Sequence, residues 1–128
     1  MDELEVTYVC TADAFKPAPW DEVMWLDVVR DFALLAAFHA RNPDGGPFTD
    51  ESALNWRDSG FSDAGIVQDG VLVARAARWA YSDEAWELAG VITLPERRGE
   101  GLGRSACSFI TESIVTAGRT ATCHTGKS

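Results

Sequence analysis

Residues 91–111, VITLPERRGEGLGRSACSFIT, constrain this chain more than any other stretch. An apolar β-type run stops at Pro95, passes Arg97 and Arg98, and reopens as an amphipathic helix through Gly99, Gly101 and Gly103. Glycine is the poorest ordinary helix former after proline, so three of them at a helix start serve something other than helix stability. A strand feeding a helix through glycines makes an anion site. The first-turn N–H groups have no intrahelical partner, the helix dipole adds partial positive charge, and a backbone without side chains can approach a phosphate closely. Arg98 and Arg104 can supply charge-assisted bonds, with Arg97 at the rim. The plainer alternative is a tight strand-to-helix turn whose arginines are only solvated.

The surrounding pattern says what this joint belongs to. Residues 4–10, LEVTYVC, alternate apolar and polar with β-branched members and read as a first strand. After the break FKPAPW, the run DEVMWLDVVRDFALLAAFHAR carries acidic residues early and Arg41 late. Val28, Phe32, Leu35 and Phe38 fall at helical spacing, so one long amphipathic helix is expected, closed by NPDGGPF. Residues 49–56, TDESALNW, offer a cap and a short helix. The period then changes to that of strands. AGIVQ and VLVARAARWAY flank Asp69-Gly70, which suits a type I′ hairpin, and SDE turns the chain into AWELAGVITL. Links this short make the three strands antiparallel. A helix over about residues 101–117 follows, with Gly118 as its C-cap, and RTATCHT should then run parallel to the strand ending at Leu94. The fold class is thus mixed α/β (α+β).

At 128 residues the chain is read as one domain, residues 1–128. Its net charge of −9 argues against general binding to nucleic acid or anionic membrane, and no apolar run is long enough to span a bilayer. Acidity suits a cationic partner such as an amine, and it also serves solubility. Cys10, Cys107 and Cys123 are odd in number and form no CxxC pair, and no secretory leader is read, so reduced thiols in the cytoplasm are expected. His39 and His124 lie in unrelated segments, so no metal site is expected.

Two nucleotide-loop readings fail. A dinucleotide fingerprint needs G-x-G-x-x-G in a first βαβ unit, whereas here the third glycine is misplaced and a meander comes first. ATCHTGKS at residues 121–128 fits a loose phosphate-loop pattern, but no residues follow in this sequence to form the helix that loop must open.

VITLPERRGEGLGRSAC instead resembles motif A of the GNAT superfamily, the acyl-CoA-dependent N-acyltransferases. Their signature is Arg or Gln, two residues, Gly, one residue, then Gly or Ala, and Arg98, Gly101 and Gly103 supply it. The order of elements agrees as well: strand, helices, antiparallel meander, glycine turn, helix, parallel strand. The sharp resemblance covers Trp86 to about Thr125. It implies acetyl-CoA as acyl donor, with backbone amides from Arg98 through Gly99, Glu100, Gly101, Leu102 and Gly103, together with Arg104, around its pyrophosphate. The pantetheine arm would lie along Val91, Ile92 and Thr93, and the thioester would enter a gap where that strand splays from RTATCHT. A backbone N–H near Ile92 or Thr93 would be the oxyanion donor.

The acceptor implied is a primary amine, on a small molecule or a protein, and a base must take its proton. Glu87 is one candidate, at the spacing before Arg98 where the histone-acetyltransferase branch carries its glutamate; strand alternation places it on one face with Ala89, Val91 and Thr93. His124, on the facing strand, is the other. Trp56, Trp79, Tyr81 and Trp86 read as core or rim aromatics, Trp56 with a possible place in an acceptor pocket. Relative to the family, the sequence lacks the usual last helix and two strands, so no general acid is assigned. The same shortfall leaves RTATCHT as an expected bare edge, where a homodimer or a completing chain would pair. The alternative to an enzyme is a non-catalytic GNAT-like module that binds coenzyme A or a protein.

Overall fold

The computed structural model describes residues 4–10, 22–42 and 48–127, with residues 4–10 and 123–127 described by their backbone. In chain order the elements are β1 (Leu4–Cys10), β2 (Val23–Leu26), α1 (Phe32–Arg41), α2 (Asp50–Asp58), β3 (Phe61–Gln68), β4 (Val71–Trp79), β5 (Ala85–Thr93), a 3₁₀ turn (Pro95–Arg97), α3 (Leu102–Thr116) and β6 (Thr120–Lys127). The strands form one sheet in the order β1-β6-β5-β4-β3-β2. All neighbours are antiparallel except β5 and β6, which α3 connects as a parallel crossover.

The meander forms where its turn residues dictate. Asp69 and Gly70 take φ of 54° and 77°, the positive pair that a type I′ turn requires. α2 starts at Thr49, whose side chain accepts from the Ser52 amide at 3.1 Å while the Ser52 hydroxyl accepts from the Thr49 amide at 2.9 Å. α3 ends as the sequence suggests. Gly118 donates to Val115 and Arg119 to Ile114, the paired bonds that close a helix through a left-handed residue.

The two faces of the sheet can be followed through β4. Its odd positions face α1 and α2: Arg75 contacts His39 of α1, and Asp63, in register with Ala77, contacts Trp56 of α2. Its even positions face α3, where Arg78 donates to Ser113. Ala106, Ile110 and Ile114 recur every four residues along α3 and are fully buried. Leu35 and Phe38 seal the opposite face from α1.

Three sequence expectations are corrected. The single long helix is a strand, a turn and a shorter helix. The Asp27 carboxylate accepts from the amides of Val29 and Arg30 at 2.8 and 2.9 Å, and Asp31 accepts from the Asp27 amide at 2.8 Å. These side-chain bonds offer the backbone a turn in place of helix. The FKPAPW break and most of NPDGGPF lie outside the described residues. Second, β6 is not a bare edge, because β1 pairs along it from Leu4↔Lys127 to Cys10↔Ala121. The third correction concerns β5 and falls within the site.

Candidate functional site

β5 carries a bulge. Ala77 pairs with Ala89 and Arg75 with Ile92, so one residue of β4 opposes the two residues Gly90 and Val91. A single inserted residue exchanges the faces beyond it. Glu87 and Ala89 therefore share the α1/α2 face with Ile92. Val91 and Thr93 turn to the α3 side, where a Cβ on Gly103 would meet Thr93 Oγ1 at 3.0 Å and Val91 Cγ1 at 3.9 Å. The strict alternation that put Glu87 with Val91 and Thr93 does not hold.

β5 and β6 also part. Their parallel pairing runs only from Ala85↔Thr120 to Leu88↔Cys123. From Ala89 onward β5 has no strand partner on that side among the described residues, while β6 continues beside β1. The result is a fork whose closed end lies at Leu88. Glu87, in register with Thr122 and with Trp79, is half-buried just below it. His124 is on β6 one position past the last pair, and its side chain lies outside what is described.

Above the fork, the glycine loop joins the 3₁₀ turn to α3. Gly99 and Gly101 have φ of 87° and 80°, and a Cβ on either would meet nothing within 4 Å. Here glycine is required by the backbone rather than by crowding. The first α3 bond is Ser105 to the Gly101 carbonyl at 3.0 Å, so the amides of Leu102, Gly103 and Arg104 precede the helix ladder. Such amides at a helix N-terminus form a concave donor surface that fits a phosphate. Gly103 differs, since its missing side chain allows α3 to lie against Thr93.

The loop's charges are sorted by geometry. Arg97 donates to Glu100 at 2.8 and 3.0 Å and to Gln68, which braces the loop against β3 and occupies the guanidinium expected at the rim. The same hydrogen bond holds the Glu100 carboxyl below its ordinary range and raises Arg97. Thus the one carboxylate within the loop is neutralised by a neighbour. Arg98 and Arg104 are exposed and make no ion pair among the described residues.

Sequence reasoning missed a buried network beside the bulge. Arg75 is 4% exposed and Asp63 2%. Arg75 donates from Nε and a terminal nitrogen to Asp63 Oδ1, at 3.0 and 2.6 Å. The Trp56 indole donates to the other oxygen at 3.0 Å, and Arg75 lies 3.1 Å from His39 Nε2. A guanidinium can only donate, so His39 accepts there. Charged residues inside the apolar runs of β3 and β4 were the available signal. Among the described residues, no cluster of His, Cys, Asp and Glu could hold a metal, and no helix is long and apolar enough to cross a membrane.

Comparison with known proteins agrees with the fold. The sequence profile of the FR47-like protein family matches residues 63–128, slightly more than half of the chain. No curated protein matches by sequence. A GNAT-family acetyltransferase from Novosphingobium aromaticivorans superposes with a TM-score of 0.73 at 19% identity, covering 97% of this chain and 52% of that one. A GCN5-related N-acetyltransferase from Kribbella flavida gives 0.60 at 22% identity, covering 97% and 50%. An aminoglycoside 6′-N-acetyltransferase in complex with coenzyme A gives 0.58 at 16% identity, covering 76% and 57%. The chain thus spans about half the length of the solved structures it resembles.

Proposed function

The chain belongs to the FR47-like family of the GNAT superfamily, and on that premise we propose that it transfers an acetyl group from acetyl-CoA to a primary amine. One observation carries the reading: the glycine loop that opens α3 follows directly on the stretch of β5 that has parted from β6. A diphosphate held at the first would place a thioester arm along the second.

The residues fit coenzyme A. Amides of Arg98, Gly99, Glu100, Gly101, Leu102 and Gly103 would donate to its pyrophosphate oxygens, with the Arg98 and Arg104 guanidiniums adding charge. The unpaired edge of β5 at Val91, Ile92 and Thr93 would pair with the amide groups of the pantetheine arm as a further strand does. Bound there, acetyl-CoA supplies the activated acyl carbon. An N–H of Ile92 or Thr93 would donate to the carbonyl oxygen, where negative charge grows as the amine attacks. Glu87 below the fork, or His124 on β6, would accept the proton that the amine loses. The bulge would let one strand serve both roles, since Glu87 faces α1 and α2 while Thr93 faces α3 against Gly103.

The test is thiol release from acetyl-CoA by the purified chain across a panel of amines. Release that saturates with both substrates is the expected result. Saturable coenzyme A binding with no release across the panel would point to a binding module, and absence of both would remove the acyl-CoA reading altogether.

A further inference from the structure

A row of aromatic rings leads to the fork on the α1/α2 face. Ring centroids of Trp56 and Phe61 lie 3.7 Å apart, Phe61 and Trp79 5.3 Å, and Trp79 and Tyr81 5.1 Å. The row starts on α2 and ends at Tyr81, which is 42% exposed. The Tyr81 hydroxyl is 3.2 Å from Thr122 Oγ1, and Thr122 is in register with Glu87. The outer two rings therefore stand next to the point where β5 and β6 part.

Arginines lie on the other described tryptophans. Arg75 lies over Trp56 at 5.1 Å, Arg78 lies against Trp25 and Trp86 at 4.9 and 4.7 Å, and Arg119 lies over Trp86 at 4.3 Å. Among the described residues no cation covers Trp79 or Tyr81. Near this end of the row Asp83 and Glu84 are exposed in the β4–β5 turn, and Glu87 is in register with Trp79, while Arg78 and Arg119 are engaged on Trp86. An aromatic face attracts a cation through its quadrupole, and nearby carboxylates add to the attraction. An anionic ligand would be repelled here, and a neutral apolar one would gain nothing from the field.

We infer that Trp79 and Tyr81 hold a second cationic group of the acceptor. Preferred acceptors are then diamines, or amines that also bear a guanidinium or quaternary ammonium group, with the reacting nitrogen at the fork. The inference rests on the acyl-transfer reading and names the acceptor class for that same site.

Calorimetric titration of the full chain, saturated with coenzyme A, compares 1,5-diaminopentane with pentylamine. The diamine should bind at least about fivefold more tightly, the range a cation over an aromatic ring supplies. Tyr81→Leu should abolish the preference, and Tyr81→Phe, which keeps the ring and loses the Thr122 contact, should retain it. Equal binding of the two amines overturns the inference without any variant, and so does a preference that survives in folded Tyr81→Leu. Thiol release from acetyl-CoA separates the two readings. Turnover of both amines with equal affinity removes only the second cation site. A diamine preference without turnover removes the acyl-transfer reading and leaves the rings as a diamine site.

Discussion

The three glycines of the loop answer to different physical demands at the level of single residues, and substitution separates them. Gly101 sits at φ 80° in open space, so Gly101→Glu costs only the left-handed penalty of about 1–2 kcal/mol, yet it places a carboxylate among the donor amides. A folded Gly101→Glu chain should lose coenzyme A binding in an equilibrium titration; unchanged affinity would remove the phosphate role. Gly103 has ordinary backbone geometry but only 3.0 Å of room, so Gly103→Val should cost about 1–3 kcal/mol in a urea melt through overpacking against Thr93. The sequence showed that these glycines matter and merged their reasons into one. It did not reveal the Arg75–Asp63 pair, because the partners are set by strand register rather than by spacing along the chain. That pair is fully engaged: Asp63 accepts from Arg75 and Trp56. Asp63→Ala leaves a buried guanidinium uncompensated and should lower stability by about 3–5 kcal/mol. The double variant Asp63→Ala, Arg75→Leu should recover part of that loss in the same melts. Failure to recover would mean that packing by Asp63, not charge compensation, is what counts.

Among whole elements, periodicity misled where local side-chain chemistry overruled it. Val28, Phe32, Leu35 and Phe38 keep helical spacing, and Val28 is buried, yet α1 begins only at Phe32. The Asp27–Asp31 turn intervenes and frees residues 23–26 to pair with β3. Backbone bonds from Arg30 and Val29 hold the Asp27 carboxyl below its ordinary 3.8, and the hydrogen bond from Arg30 does the same for Asp31. A carboxyl depressed on folding contributes stability above its unfolded value, and that contribution is lost as pH falls through the folded value. Thermal stability should therefore drop as the pH is taken below about 4, and Asp27→Ala should make that acid limb shallower. An acid limb of unchanged slope in the variant would show that the turn is held by something other than the carboxylate. The hairpin at Asp69-Gly70, α2, α3 and the parallel return strand were legible because each has a local signal: a turn dipeptide, a cap, an apolar stripe, a crossover length. The β5 bulge has none that can be read without its partner strand, and it decides which side chains share the site.

For the molecule as a whole, one sheet has to stay open between β5 and β6 for the proposed chemistry and closed everywhere else. β6 leaves β5 at Leu88 while its other edge is paired with β1 along its length. Nothing local in the chain signals this pairing, which joins the first strand to the last, so an exposed β6 is what the sequence alone predicts. An antiparallel partner satisfies the N–H and C=O groups that β6 would otherwise present to solvent, and among the described residues β1 becomes the outermost strand. Removing residues 1–10 should then restore the exposed edge on β6. The shortened chain should associate in a concentration-dependent way by sedimentation velocity, with β6 pairing to a second copy, while the full chain does so less. The same deletion removes what holds β6 away from β5. Coenzyme A affinity should consequently fall even though no residue of the cradle has changed, because β6 could close onto the β5 edge that the pantetheine arm would use. A shortened chain that stays as monodisperse as the parent and binds coenzyme A equally well would show that β1 is dispensable to both the edge and the fork.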